Sequence, residues 1–212
     1  YYMFGDIEQI RSLNFTGSAL DSVQQVERFT ANSLRLRYGM QFFHTFGKHK
    51  LTLGGVFENK QAFSRMNYEH LETTTNDSLA SITSGFEMPM IYGAGMSYGY
   101  DNRLVVGLDY MCQDWSNALY FGEKGSLHKS HRVALGAEYR NDPMSRKYLD
   151  AIYWRLGAHY TTAYTDRYDQ AEIGVSMGIG FPLKTVGTVI NTTVEYGRRG
   201  LTAGVLNENY LR

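Results

Sequence analysis

Ile173-Gly174-Val175-Ser176-Met177-Gly178-Ile179-Gly180-Phe181 alternates without a break: every odd position is large and apolar, and every even position is glycine or serine. Successive side chains of an extended strand point to opposite faces, so this segment has one fully apolar face and one small, polar face. Such a strand separates two different solvents. When many such strands are joined by short turns, the fitting pair is lipid outside and water or polar side chains inside.

Working outward, seven further stretches repeat the pattern. Residues 33–46 set Leu34, Leu36, Tyr38, Met40 and Phe42 against Arg35, Arg37, Gly39 and Gln41. Residues 51–63 set Leu51, Leu53 and Phe57 against Thr52, Gly54 and Glu58. Residues 90–100 show Tyr92, Ala94, Met96 and Tyr98 against Gly93, Gly95, Ser97 and Gly99. Asp101-Asn102 then signals a two-residue hairpin. From Arg103, Leu104, Val106, Leu108 and Tyr110 oppose Gly107 and Asp109, and over residues 131–140 Val133, Leu135, Ala137 and Tyr139 oppose Gly136 and Glu138. Residues 152–162 place Trp154, Leu156 and Tyr160 against Tyr153, Arg155, Gly157 and His159. Residues 188–197 place Ile190, Val194 and Tyr196 against Asn191, Thr193, Glu195 and Gly197. Partial strands are expected at residues 1–8 and 206–212.

Residues 47–50, 101–102, 141–150 and 182–187 read as short turns on one rim. Residues 9–31, 64–86, 113–129 and 164–168 read as mostly longer loops on the other. This asymmetry is that of an outer-membrane barrel, with short periplasmic turns and long extracellular loops. Strands of about ten residues argue against a soluble sandwich, whose strands average about five or six. The chain is 43% hydrophobic, which by itself does not indicate a membrane protein, because every second barrel residue faces inward. It has 17 Tyr and 22 Gly but only 3 Pro, which suits aromatic girdles, a crowded wall and uninterrupted ladders. No stretch of about 18 apolar residues exists to form a transmembrane helix. Zero net charge gives no basic face for nucleic acid, and the lone Cys112 cannot form an internal disulfide. The sequence thus predicts an all-β, transmembrane, antiparallel up-and-down β-barrel, one domain over residues 1–212, incomplete at both ends.

The expected lumen-facing polar residues are Arg35, Arg37, Gln41, Glu58, Asp109, Glu138, Arg155, His159 and Glu195. They can form a polar track or ligand contact, or a ladder of ion pairs that ties neighbouring strands; the ladder is favoured, because charges inside a membrane barrel are costly unless paired or wet. The inward glycines can leave room for a lipid-like ligand or plug, or relieve crowding where strands coil. The six histidines show no metal-ligand spacing, no nucleophile motif stands out, and no cofactor is expected. Cys112 shares a face with Leu108 and Tyr110 and is expected toward lipid or its interface. Phe63, Tyr68, Phe86, Trp115, Tyr120 and Phe121 suit either a capture surface or a girdle.

Tyr100-Asp101-Asn102-Arg103-Leu104-Val105-Val106-Gly107-Leu108-Asp109-Tyr110, with Trp115-Ser116 and Phe121-Gly122-Glu123, resembles a segment of the FadL-type outer-membrane transporters of Bacteroidetes. Arg132–Tyr139, Gly180-Phe181-Pro182-Leu183, Glu195-Tyr196-Gly197-Arg198-Arg199-Gly200 and the closing Gly204–Arg212 are similar to later parts of that group. The resemblance covers most of the chain from about Asn32. It implies a barrel of about 14 strands, of which about nine or ten are represented here, without the N-terminal hatch or the last strand. It implies a non-enzymatic protein of the bacterial outer membrane that passes small hydrophobic compounds, fatty-acid-like or aromatic. The alternative is an accessory barrel subunit of a larger outer-membrane complex. Expected partners are outer-membrane lipid and lipopolysaccharide, a hydrophobic ligand, and other outer-membrane proteins. Asp21-Ser22-Val23 and Asp77-Ser78-Leu79 look like the O-glycosylation sequon of the same bacteria, which makes Ser22 and Ser78 candidate sites.

Overall fold

The computed structural model describes residues 2–13, 23–62, 68–74, 76–82, 86–120, 123–125, 127–142, 145, 147–165, 171–183, 188–200 and 207–212. In chain order the strands are β1 Tyr2–Leu13, β2 Val23–Leu34, β3 Arg37–Phe46, β4 His49–Glu58, β5 Gln61–Ala62, β6 Tyr68–Thr74, β7 Asn76–Ile82, β8 Glu87–Met88 and β9 Met90–Tyr100. They continue as β10 Leu104–Asp114, β11 Leu119–Tyr120, β12 Glu123–Lys124, β13 Lys129–Arg140, β14 Tyr153–Thr161, β15 Glu172–Pro182, β16 Val189–Arg199 and β17 Glu208–Leu211. Nine of them form one sheet in the order β17-β16-β15-β14-β13-β10-β9-β4-β3, every neighbour antiparallel. This is the up-and-down meander that the eight alternating stretches predict, with β17 as a ninth strand.

The register keeps the two faces apart. On one face Met40, Phe42, Leu53, Met96, Leu135, Leu156, Val175, Met177 and Val194 are exposed. Among the described residues, the buried apolar side chains are few: Pro89, Cys112, Ala118, Leu127, Ile152 and Ala171. A water-soluble fold inverts that arrangement, because burying apolar surface is its main driving force. Here the large apolar side chains stand outward, where acyl chains cover them. The opposite face carries a row of small residues running straight across six strands: Thr52, Ser97, Gly107, Gly136, Gly157 and Ser176. Among the described residues no helix is long and apolar enough to cross a membrane, and the crossing elements are strands.

Several boundaries differ from the sequence reading. Residues 33–46 are not one strand: β2 ends at Leu34 and β3 starts at Arg37, so Arg35 lies in the break between them. Much of 9–31 and 64–86, expected as loop, is paired: β1, β2, β6 and β7 form a separate four-stranded sheet in the order β1-β2-β6-β7. Val23-Gln24-Gln25-Val26-Glu27-Arg28 has no period-two apolar face; backbone pairing alone makes it a strand, which hydrophobic periodicity does not detect. Tyr100 pairs with Leu104, so that hairpin turns through three residues and not two. Asp101 and Asn102 have φ of 52° and 53°, and the Arg103 amide donates to the Tyr100 carbonyl at 2.9 Å. Asn and Asp tolerate this left-handed backbone better than other non-glycine residues. Cys112 is on the outward face as expected, yet it is fully buried and not lipid-exposed.

Candidate functional site

The inward side chains gather into three polar clusters and one concavity. The first lies at the long-loop end of β3 and β4. Arg37 and Glu58 face each other directly in register and form an ion pair. Arg35, placed by the β2–β3 break, reaches the same carboxylate with Nε 2.6 Å from Oε2, and its Nη2 donates to the Pro89 carbonyl at 3.3 Å. Glu58 is 1% exposed and Arg35 4%, whereas Arg37 is 57% exposed. A carboxylate this deeply buried is tolerated because two guanidinium groups neutralise it.

The second cluster is the directly opposed pair Glu138 and Arg155, with Nε to Oε2 at 2.7 Å. Arg155 also donates to Asn191 on β16, so one side chain ties β13, β14 and β16. The third is centred on Glu172 at the start of β15. It accepts from Arg199 Nη2 at 2.9 Å and Nε at 3.1 Å, and from the Tyr210 hydroxyl at 2.7 Å; His159 Nε2 lies 3.3 Å away. The Tyr210 hydroxyl lies 3.1 Å from Glu195 as well, completing a five-residue network over four strands. Donor atoms of His159, Glu172 and Glu195 lie within 4.8 Å of one another. Arg199 and Tyr210 already engage Glu172, so the chemistry is that of an ion-pair hub.

The glycines explain how these side chains lie flat on the wall. A Cβ at Gly197 would collide with the Tyr210 ring, and one at Gly174 would collide with the His159 ring. Gly95 is covered in the same way by Asp109, Gly157 by Ser176 Oγ at 2.7 Å, and Gly180 by Tyr153 Cβ at 3.0 Å. In each case the covering residue is the direct cross-strand partner. At these five positions the space left by glycine is filled by the neighbour's side chain. That supports the crowding explanation of the inward glycines over a vacant ligand path there.

Elsewhere on the inner face a concavity of about 840 Å³ opens over β3, β4, β9, β10 and β13, lined by small residues together with Gln41, Val56, Asp109, Met111 and Arg132. Gln41 and Asp109 border this space and belong to none of the three clusters. The predicted polar residues therefore do not converge on one site. Glu172, Arg199 and Tyr210 were missed by the sequence reading, although carrying the alternation of residues 173–181 and 188–197 outward by one step reaches Glu172 and Arg199. Nothing in the sequence pairs Tyr210 with Glu172.

The long-loop rim is ordered by polar contacts. Lys60 bridges Glu87 at 2.9 Å and the Asn117 carbonyl at 3.3 Å, and Glu87 accepts from the Leu119 amide at 3.0 Å. Burial pushes the Glu87 carboxyl up, but Lys60 and the Leu119 amide outweigh it and hold it below the usual carboxylate range. Trp115 stacks on Tyr164 at 5.3 Å, a packing role on the rim. Ser22, Phe63 and Phe121 lie outside the described residues, as do the side chains of Tyr68, Ser78 and Tyr120, although Ser78 belongs to β7.

No curated protein matches the sequence. A solved structure described as the CymD monoaromatic hydrocarbon channel is similar in fold, with a TM-score of 0.50 and 16% identity; the match covers 91% of this chain and 51% of that one. The chain therefore spans about half the length of the channel it resembles. The model of the family described as BamG matches residues 1–212. An exposed apolar wall, an antiparallel meander with a polar inner face, a channel-like fold and an end-to-end family match converge on one statement: this outer-membrane β-barrel chain belongs to the BamG family.

Proposed function

We propose that the chain forms the membrane wall of an accessory barrel subunit in a larger outer-membrane complex, and that this complex is a β-barrel assembly (Bam) machine, as the family name suggests. The end-to-end family match carries the reading. The inner wall supports it: of the nine predicted lumen-facing polar residues, seven are tied to charged or polar neighbours, and the glycine gaps at five positions are filled. Such a wall is a scaffold more than a passage. The subunit has no catalytic role in this reading, and its contacts run through the lipid-facing wall and the long-loop rim. Native mass spectrometry of the full-length protein, gently extracted from its own membrane, tests the proposal. A mass carrying other barrel or lipoprotein subunits is expected. A lone protein carrying only a small lipophilic adduct overturns it.

One observation favours a second reading. The concavity of about 840 Å³ is ligand-sized, and the fold is like that of a hydrocarbon channel. On this reading the protein is a FadL-type barrel of about 14 strands, from a member of the Bacteroidetes, that passes small hydrophobic compounds. The lipophilic adduct in the same experiment is its signature. Glycosylation at Ser22 or Ser78 belongs to either reading, and unmodified peptides spanning these serines in native material would remove it.

A further inference from the structure

We infer that the two adjoining short turns at residues 47–48 and 101–103 form a binding site for the phosphate of an anionic phospholipid in the periplasmic leaflet. The inference goes beyond the accessory-subunit reading and does not depend on it.

The turns are fused into one platform. The Asp101 amide donates to the Lys48 carbonyl at 2.8 Å, and the Arg140 amide donates to the Arg103 carbonyl at 2.7 Å. Four cations meet there around a single carboxylate. Lys48 Nζ lies 3.2 Å and Arg103 Nε 3.6 Å from Asp101 Oδ2. The other two cations have neutral partners: Lys50 Nζ donates to Asn102 Oδ1 at 2.8 Å, and Arg140 donates to the Asn102 carbonyl and the Tyr153 hydroxyl. Lys50 starts from the inner face, but its ammonium ends at the turn. Lys48 is 64% exposed and Arg103 47%, so both can reach a ligand outside the wall. The next turn does not change this excess: residues 141–150 carry two carboxylates, Asp142 and Asp150, and two cations, Arg146 and Lys147.

The outward face directly beside the platform carries a continuous strip of rings. Phe42, His44, Phe46 and His49 stack in succession with centroids 6.4, 5.8 and 5.0 Å apart, and His49 continues to Tyr100 at 5.1 Å. His49 Nδ1 is 2.6 Å from the Tyr98 hydroxyl. His44 is exposed and has no hydrogen-bond partner among the described residues. Aromatic belts sit at headgroup depth. The strip therefore puts the cationic platform at the level of the lipid phosphates, with flat apolar surface below it for the glycerol and upper acyl chain. Free phosphate would use the cations but not the rings, and the continuity of the two favours the lipid.

The test uses the full-length protein, delipidated in detergent and titrated with phosphatidylglycerol or phosphatidylcholine under native mass spectrometry. Near a membrane surface each cation contributes about fivefold in affinity. Phosphatidylglycerol should be retained at least ~10-fold over phosphatidylcholine, and the paired substitution Lys48→Gln with Arg103→Gln should abolish that preference. Lys147→Gln, on the neighbouring turn, should leave it intact, and a heat-modifiable gel band reports that each variant is folded. Excess inorganic phosphate should fail to displace the lipid. Equal retention of the two lipids, or an unchanged preference in the folded double variant, overturns the inference. So does displacement by inorganic phosphate, which indicates a free-anion site. Loss of a co-purifying acidic protein with lipid retention unchanged overturns it in favour of a protein partner.

Discussion

Replacing Glu58 by Gln tests whether the inner wall is held together by buried charge. The substitution keeps the volume and removes the negative charge. Arg35, at 4% exposure, would lose the charge of the Glu58 carboxylate while its contact to the Pro89 carbonyl at 3.3 Å stays. Breaking a buried pair from one side costs about 3–5 kcal/mol, because the remaining charge cannot be rehydrated. Arg37 is 57% exposed, and an exposed pair is worth about 0–1 kcal/mol. Glu58→Gln should therefore destabilise by about 3 kcal/mol or more and Arg37→Gln by no more than about 1 kcal/mol. Replacing Arg35 and Glu58 together by Met should cost much less than the sum of the single changes. The assay is urea unfolding of the full-length protein refolded into lipid vesicles, followed by tryptophan fluorescence. If Glu58→Gln and Arg37→Gln cost the same, the cluster is wet and the reasoning from burial fails.

Three further outcomes follow from the geometry. Gly174→Val and Gly197→Val should slow or block folding into vesicles, because each Cβ would displace a ring from the Glu172 hub; Tyr210→Phe keeps the ring and should cost about 1.5–3 kcal/mol for the lost bond to the Glu172 carboxylate, read as a shift in unfolding midpoint. Leu156→Arg, on the exposed apolar wall of β14, should cost about 2–4 kcal/mol in vesicles if the residue sits near the bilayer midplane, whereas Arg155→Gln should not prevent insertion; an insertion yield equal to wild type for Leu156→Arg would place that wall in water. Hydrogen bonds from Asn141 and Ser145 hold Asp150 below its ordinary value of 3.8 in the turn before β14. Its folded pKa is depressed, so its contribution is complete above the unfolded value and is lost as pH falls through the folded one. Asp150→Asn should accordingly flatten the stability loss of wild type below about pH 4, as measured by thermal unfolding between pH 5 and 3.

The sequence determined the wall by itself. Period-two alternation is a local property, and lipid on one side demands it of every spanning strand, so the eight strands, their faces and most turns were legible from Ile173–Phe181 and its repeats. The same parity puts Arg37, Glu58, Glu138, Arg155, His159 and Glu195 on one face of the sheet, opposite the exposed apolar side chains. Where lipid imposes no apolar face, as in most of β2, β6 and β7 and the end of β1, parity is silent: the sequence predicts a partial strand at residues 1–8 and loops over 9–31 and 64–86. Only the tertiary structure decided partnership. Register sets Arg37 against Glu58, Arg155 against Glu138 and Arg199 against Glu172, while the break after Leu34 swings Arg35 onto a carboxylate two strands' worth of sequence away. It likewise laid Tyr210 over Gly197 and His159 over Gly174, and it brought Lys48 beside Asp101. These contacts join residues far apart in the chain, and a one-dimensional pattern carries each residue's face but not the identity of the residue across from it.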